Sequence, residues 1–491
     1  MMKQFLFPSI LHHPKAHFLL VISIAAFMSF FRLGSESVNE WDEARNGVNA
    51  MEMIGNGDYL NLFFAGEPDT WNNKPPLVIW MIALSFKIFG YNEWALRLSS
   101  ALAAIVFFIF FFKLISRFES EKFAMLVCLL LVSCKAVYGS HVARTGDFDM
   151  PLLCFLIIST YYFIIYLDTG AATKLYLSAV FLGIAFYVKG PAALILVPGN
   201  LLYLIHQRKL RTFFFKKEFF VSGLIFLLIA SSWVILVSAF GKSYNTETSF
   251  YQSRNALETM FFHDTVQRMF DPSFDKVKLH DHFFFFKTLD SKLNLWNYLF
   301  YVTLLSWMLQ LLNVAPARKG WWRLSQHKLF SFSVIHSLTL GIIMTLITSK
   351  RVWYLVPALP FAATVAAYGY RYLYLRHRII KMVLIAVTAF ALIRQVVQLS
   401  APDNDLKKFF QQMHPQISSY KKVKIIDQPD QSFLLYLHWN SRKLINHFGQ
   451  TPDDANALYC IRRNNIRKNE MRIAGCTNDF CLGEFPVHHK K

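Results

Sequence analysis

Apolar runs close to 20 residues long alternate along this chain with short polar loops rich in Lys and Arg. Runs of that length cross about 30 Å of hydrocarbon as helices. The pattern predicts about eleven membrane spans. The first covers about Ala16–Leu33, the second Glu93–Phe111 and the third Phe123–Tyr138. The next four cover about Leu152–Leu167, Leu175–Val188, Ala192–Ile205 and Phe220–Phe240. The last four cover about Trp296–Leu312, Leu329–Ile347, the run after Arg351 to Tyr370, and Met382–Val397. Asp42–Ile54 and Pro75–Phe89 are too short or too interrupted to cross, and predict helices lying along the membrane surface.

Loop charges orient this bundle. Lys113, Arg117 and Lys122 share one side with Arg208–Lys217, Arg318–Lys328 and Arg371–Lys381. The positive-inside rule makes that side cytoplasmic. Residues 35–91 and 241–295 are then outer loops. The first run lacks a small-residue cleavage site and reads as a retained span.

Residues 399–491 are more polar. KVKIID and RKLINHF predict strands, and SFLLYLHW a short helix or strand. The fold class is therefore an all-α polytopic membrane protein, residues 1–398, with a small C-terminal α/β domain outside, residues 399–491. Cys460, Cys476 and Cys481 lie in that domain. An oxidising compartment permits a disulfide, with Cys476–Cys481 the expected pair; the alternative is three free thiols. Cys128, Cys134 and Cys154 fall in spans and are expected to pack there.

Composition agrees with this division: 54% of the residues are hydrophobic, against about 45–50% in soluble domains. A net charge of +20 would suit a nucleic-acid binder. The basic residues instead mark alternate short loops, so no nucleic-acid partner is expected. Neither GxGxxG nor GxxxxGK[ST] occurs, which leaves a soluble nucleotide-binding module unsupported.

The residues that break the apolar pattern gather on the outer side. Asp42, Glu43, Arg45, Asn73 and Lys74 lie in the first loop; Arg144, Asp147 and Asp149 lie in the second. Lys189 is in the third, His263, Arg268, His280 and His282 are in the fourth, and Lys350, Arg351 and Tyr354 are in the fifth. Plainer roles exist for several: Asp42 as a helix cap, Arg144 and Asp147 as an ion pair, Lys189 as a cation before a Gly-Pro turn. The histidines form only a loose HDH pattern without CxxC or HExxH, and no metal ligand is assigned. Carboxylates can take a proton from a hydroxyl. Arg and Lys can hold a phosphate, and apolar helices can hold a lipid tail. Together these features describe a reaction on a lipid-linked phosphate. A transporter would carry its charges at mid-membrane on broken helices, whereas these cluster at one surface.

At WDEARN, NNKPPL, ARTGDFDMPL, VKGP and SKRVWYLVPALP the chain resembles the GT-C glycosyltransferases of the protein O-mannosyltransferase and aminoarabinose transferase superfamily. The resemblance runs in order over about residues 17–370. It implies a membrane enzyme that takes a sugar from a polyprenyl phosphate, with inversion, to a lipid, glycan or protein acceptor. It implies Asp42 as the base, with Glu43 its neighbour and Asp149 a second acidic position. It implies Arg45, Lys74 and Arg268 as phosphate ligands, with Lys350 and Tyr354 close by. No cofactor is implied. Asn73 stands where the aminoarabinose enzymes have Glu, so their metal contact is not expected. The chain is short and lacks a large lumenal domain, which points to a bacterial inner membrane and an undecaprenyl phosphate donor.

Overall fold

The structure, a computed structural model, describes residues 14–485 except 70, 71, 73, 140, 243–255, 272–280, 282, 294, 313–326, 377, 401–403, 428, 442–455 and 467–470. Seven helical stretches among the described residues are long and apolar enough to cross a membrane. Each of the eleven expected spans coincides with helix. Three of the four that miss the length criterion alone are shorter: Pro14–Phe30, Glu121–Val132 and Trp296–Leu311. The fifth and sixth spans instead form one apolar stretch, Ala172–His206. It is broken by a 3₁₀ turn at Gly190–Leu196, where Pro191 cannot donate a helical hydrogen bond. The chain is a multi-pass membrane protein.

Burial separates central helices from peripheral ones. Val352–Leu375 is enclosed by its neighbours over most of its length. Lys217–Phe240 turns Leu224, Leu227, Leu228 and Ile235 outward, as a lipid-facing helix does. Asp149–Thr169 packs between Glu93–Phe118 and Ala172–Lys189, which in turn packs on Lys217–Phe240.

The two short segments expected to be helical form helices, Asp42–Asn56 and Leu77–Phe89. Asp42 is the first helical residue; the cap position falls to Trp41, which gives no side-chain cap. Gly57 ends this helix in the left-handed conformation that Gly adopts without a Cβ clash. The helix is buried along most of its length, so its polar residues must find partners inside the protein. A two-residue hairpin follows, β1 (Phe63–Phe64) against β2 (Glu67–Pro68). Glu52 accepts the amide hydrogens of Ala65 and Gly66 in its turn. Burial raises the Glu52 pKa to about 7, with the charges of Asp69 and Glu67 adding and those amide bonds opposing.

The C-terminal domain carries a four-stranded sheet of β3 (Lys422–Ile425), β4 (Ala457–Arg462), β5 (Arg472–Cys476) and β6 (Phe480–Glu484), in the order β3-β4-β6-β5. β3 and β4 are parallel and the other pairs antiparallel. SFLLYLHW lies in the helix Gln431–Ser441, while RKLINHF lies outside the described residues. Cys476 and Cys481 face each other across β5 and β6 and form a disulfide. Cys460 is a free, buried thiol, as are Cys128, Cys134 and Cys154.

This domain grips the segment that follows the first helix. Glu40 accepts the backbone amides of Gln431 and Ser432, at 2.6 and 2.9 Å, at the start of helix Gln431–Ser441. Tyr436 donates to Glu93 at 2.8 Å and accepts from the Val38 amide at 3.2 Å. Lys407 bridges Glu93 and the Gly34 carbonyl at 3.0 and 2.6 Å. Gly47 lets the two helices approach, since a Cβ there would stand 2.6 Å from the Leu435 side chain.

Candidate active site

The site forms where helix Asp42–Asn56 meets the loop that precedes Asp149–Thr169. Glu43 points inward. Both of its oxygens are bound by Arg97, at 2.7 and 3.2 Å, and both side chains are 1% exposed. Asn39 donates twice to Glu43, and the Gly146 amide donates once. Burial pushes the Glu43 pKa upward, but the Arg97 charge and these hydrogen bonds outweigh it, so the group is held below the usual carboxylate range. Arg97 also donates to the carbonyls of Leu33, Glu36 and Ser37.

Gly146 is tightly placed. A Cβ there would lie 2.8 Å from the Leu96 side chain. This close approach brings the following residue, Asp147, to the loop helix. Asn46 donates to the Gly146 carbonyl at 2.8 Å and reaches Asp147 at 3.5 Å.

Asp42 points the other way, its side chain 40% exposed. His141 Nδ1 stands 3.6 Å from Asp42 and 3.5 Å from buried Asp147. The imidazole is stacked on Trp353 with ring centres 3.9 Å apart. Burial disfavours the imidazolium, yet the Asp147 hydrogen bond and the surrounding carboxylates raise the His141 pKa. Asp147 is also raised, by burial first and then by Asp42 and Glu43, with His141 opposing. The group therefore holds protons more firmly than separate side chains would. Asp42, His141 and Asp147 present one ligand atom each within 4.8 Å of one another, a spacing that could hold a cation.

Asp149, at the start of its helix, is paired with Lys189 at 2.6 Å. Lys189 lies 5.8 Å from the centre of the Tyr354 ring. These three therefore share one place, separated in sequence by up to 205 residues. Lys74 lies 4.9 Å from the ring centre of Phe148, between the two aspartates in sequence, and donates to Asn72 at 3.3 Å.

Arg45 occupies a different setting. It makes two 2.7 Å hydrogen bonds to Asp69 and lies over Phe64. Asp69 also accepts from Asn49 and from the Asn72 amide. Its burial is outweighed by Arg45 and these donors, so its pKa is lowered. Asn72 donates to both Asn46 and Asn49, linking this cluster back to the Asp147 loop. Arg144 caps the first helix, donating to the carbonyls of Met28, Ser29 and Arg32, with no ion pair to Asp147.

Lys350 is buried and donates to the Ile347 carbonyl at 3.1 Å. Thr348 bonds the Met269 carbonyl, tying the Lys350 segment to the helix that begins at Arg268. The Arg268 side chain, Asn73, His280 and His282 lie outside the described residues, as does the His263 side chain. Sequence reasoning passed over Arg97, Asp69, His141 and Trp353. Arg97 carried a readable signal, a charge four residues into a span.

Residues 73–236 match the family described as dolichyl-phosphate-mannose-protein mannosyltransferase. The fold matches the crystal structure of ArnT from Cupriavidus metallidurans bound to undecaprenyl phosphate, with a TM-score of 0.71 and 14% identity, over 95% of this chain and 97% of that one. The chain has the GT-C glycosyltransferase fold. A protein of Aquifex aeolicus is 24% identical over 71% of this chain and 63% of its own length. The undecaprenyl phosphate-alpha-4-amino-4-deoxy-L-arabinose arabinosyl transferase of Pseudomonas paraeruginosa is 28% identical over 44% of this chain and 40% of its own length. The chain thus spans less than two thirds of these curated relatives.

Proposed function

We propose that this protein is a membrane glycosyltransferase. It moves a sugar from a polyprenyl phosphate, undecaprenyl phosphate in a bacterial inner membrane, to a lipid, glycan or protein acceptor on the periplasmic face. The observation that carries this reading is the half-exposed Asp42 carboxylate beside His141 and buried Asp147, with the Asp149–Lys189 pair two residues further along the same loop. The matched family and the undecaprenyl phosphate-bound ArnT structure support a lipid-phosphate donor.

Asp42 removes the acceptor proton as the acceptor oxygen attacks the anomeric carbon from the face opposite the phosphate. Negative charge then grows on the departing phosphate. Fixed cations stabilise such charge best in a site poor in water. Lys189, paired with Asp149, and Lys74, over Phe148, are proposed as phosphate ligands, with Lys350, Tyr354 and Arg268 further candidates for that role. Arg45 holds the loop in register through Asp69 and supports the phosphate side at longer range. Glu43, saturated by Arg97, fixes the helix that presents Asp42. A cleft of about 1140 Å³ lies between residues 36–40, which lead into the Asp42 helix, residues 135–145 and the C-terminal domain, and is proposed as the way in for the acceptor.

The test uses full-length protein in nanodiscs with undecaprenyl-phosphate mannose or 4-amino-4-deoxyarabinose and a membrane extract as acceptor source. Release of free undecaprenyl phosphate by wild type and its loss in Asp42→Asn supports the reading. Equal release by both removes Asp42 as base. No release, with lipid movement across liposomes instead, favours a transporter.

A further inference from the structure

We infer that His141 is a positioning residue for this reaction, acting through Asp42; the inference rests on the reading of Asp42 as the base. Its Nδ1 is nearly equidistant from two carboxylates, at 3.6 Å from Asp42 and 3.5 Å from Asp147. An N–H there lies within a short side-chain adjustment of either acceptor. Without it, Asp42 faces a buried carboxylate across the same gap, and like charges at that range repel. With it, an imidazole N–H stands between the two carboxylates, while the Asp42 side chain remains 40% exposed.

Everything around the ring resists rotation. Trp353 covers one face at 3.9 Å, with the rings only 25° from parallel. Asp147 is held from behind by Asn46, and its carbonyl accepts the Ser100 hydroxyl. The backbone is bent to make the contact: His141 has φ 68° and Trp41, the residue before Asp42, has φ 70°. Left-handed conformations are uncommon for residues other than Gly, and such strain collects at functional sites. Here two of them flank one side-chain contact, from segments 100 residues apart. A histidine placed only to fill space needs neither the strained backbone nor the ring nitrogen midway between two acids.

The experiment compares wild type, His141→Ala, His141→Asn and Asp42→Asn as full-length chains in nanodiscs, with undecaprenyl-phosphate mannose and 4-amino-4-deoxyarabinose as probes. His141→Ala is expected to lower kcat about 10²-fold per folded molecule, the cost of a misplaced catalytic group, with KM for the donor unchanged. His141→Asn, whose amide can donate from nearly the same place, restores most of the rate. Wild-type activity in His141→Ala overturns the inference. So does an equal loss in both His141 variants, which assigns the ring to packing. Loss of wild-type activity on chelation, restored by Mn²⁺, also overturns it and makes His141 a cation ligand. Full activity in Asp42→Asn, or no turnover by wild type, removes instead the reading on which it rests.

Discussion

Asp42 and Glu43 are consecutive acids at the start of one helix, and the protein surrounds them differently. Successive helical residues diverge by about 100°, enough to send one carboxylate inward and the other toward the outer face. Glu43 is 1% exposed, with Arg97, Asn39 and Gly146 on its oxygens. Asp42 is 40% exposed, with an imidazole 3.6 Å away. A carboxylate with every lone pair engaged is a fixed point of the fold. A half-exposed one can meet an acceptor hydroxyl and exchange a proton. Residue type alone does not separate an anchor from a base; burial and the fixed donors around Glu43 do.

The largest expected effect breaks the outer half of the comparison. Asp42→Asn should lower undecaprenyl phosphate release about 10²–10⁴-fold, the usual contribution of a positioned base. Its melting temperature should match wild type. The inner half should break through stability. Glu43→Ala leaves the Arg97 charge buried and unpaired, at a cost of about 3–5 kcal/mol. Loss of the monodisperse peak in detergent chromatography would show it.

Acidity sharpens the contrast. The Glu43 and Asp69 pKa values are lowered from the ordinary 4.5 and 3.8, so their stabilisation is present above those values and is lost as pH falls further. Glu52 is raised to about 7, so its contribution is full below about 4.5 and is lost as pH rises through 7. At about 1.4 kcal/mol per unit, that loss amounts to about 3.5 kcal/mol. Melting temperature should decline from pH 5 to 8, and the decline should flatten in Glu52→Gln.

Smaller effects follow at the edges. Asp69→Asn removes a charge-assisted pair from Arg45 and should cost about 1.5–3 kcal/mol, read as a lowered melting temperature. Tyr436→Phe deletes the bridge from the C-terminal domain to Glu93 and Val38. It should cost about 1 kcal/mol, and faster proteolytic release of that domain would reveal it.

Hydrophobic periodicity carried the bundle: every expected span coincides with helix, and the surface helix at Asp42 starts where the polar pattern places it. The Cys476–Cys481 pair was legible because five residues suffice for a tight strand turn. Partnerships across distance were not. Nothing in the run Glu93–Phe111 states that Arg97 closes onto Glu43, 54 positions earlier. The run does place a charge where hydrocarbon would not tolerate it alone. Asp69 lay in the first loop without being singled out there, although Arg45 needed a counter-charge once packed inside. His141 was hidden because its role depends on Trp353, 212 residues later, and on a backbone angle that residue type does not announce. The Arg144–Asp147 pairing failed for a related reason: Arg144 found the carbonyls at the end of the first helix instead.

The most direct test measures Asp42→Asn and Glu43→Gln side by side in nanodiscs, following undecaprenyl phosphate release and melting temperature together. The account predicts that Asp42→Asn loses activity at unchanged stability, while Glu43→Gln loses stability and keeps its rate per folded molecule. Activity surviving in Asp42→Asn but vanishing in folded Glu43→Gln would contradict it and make Glu43 the base.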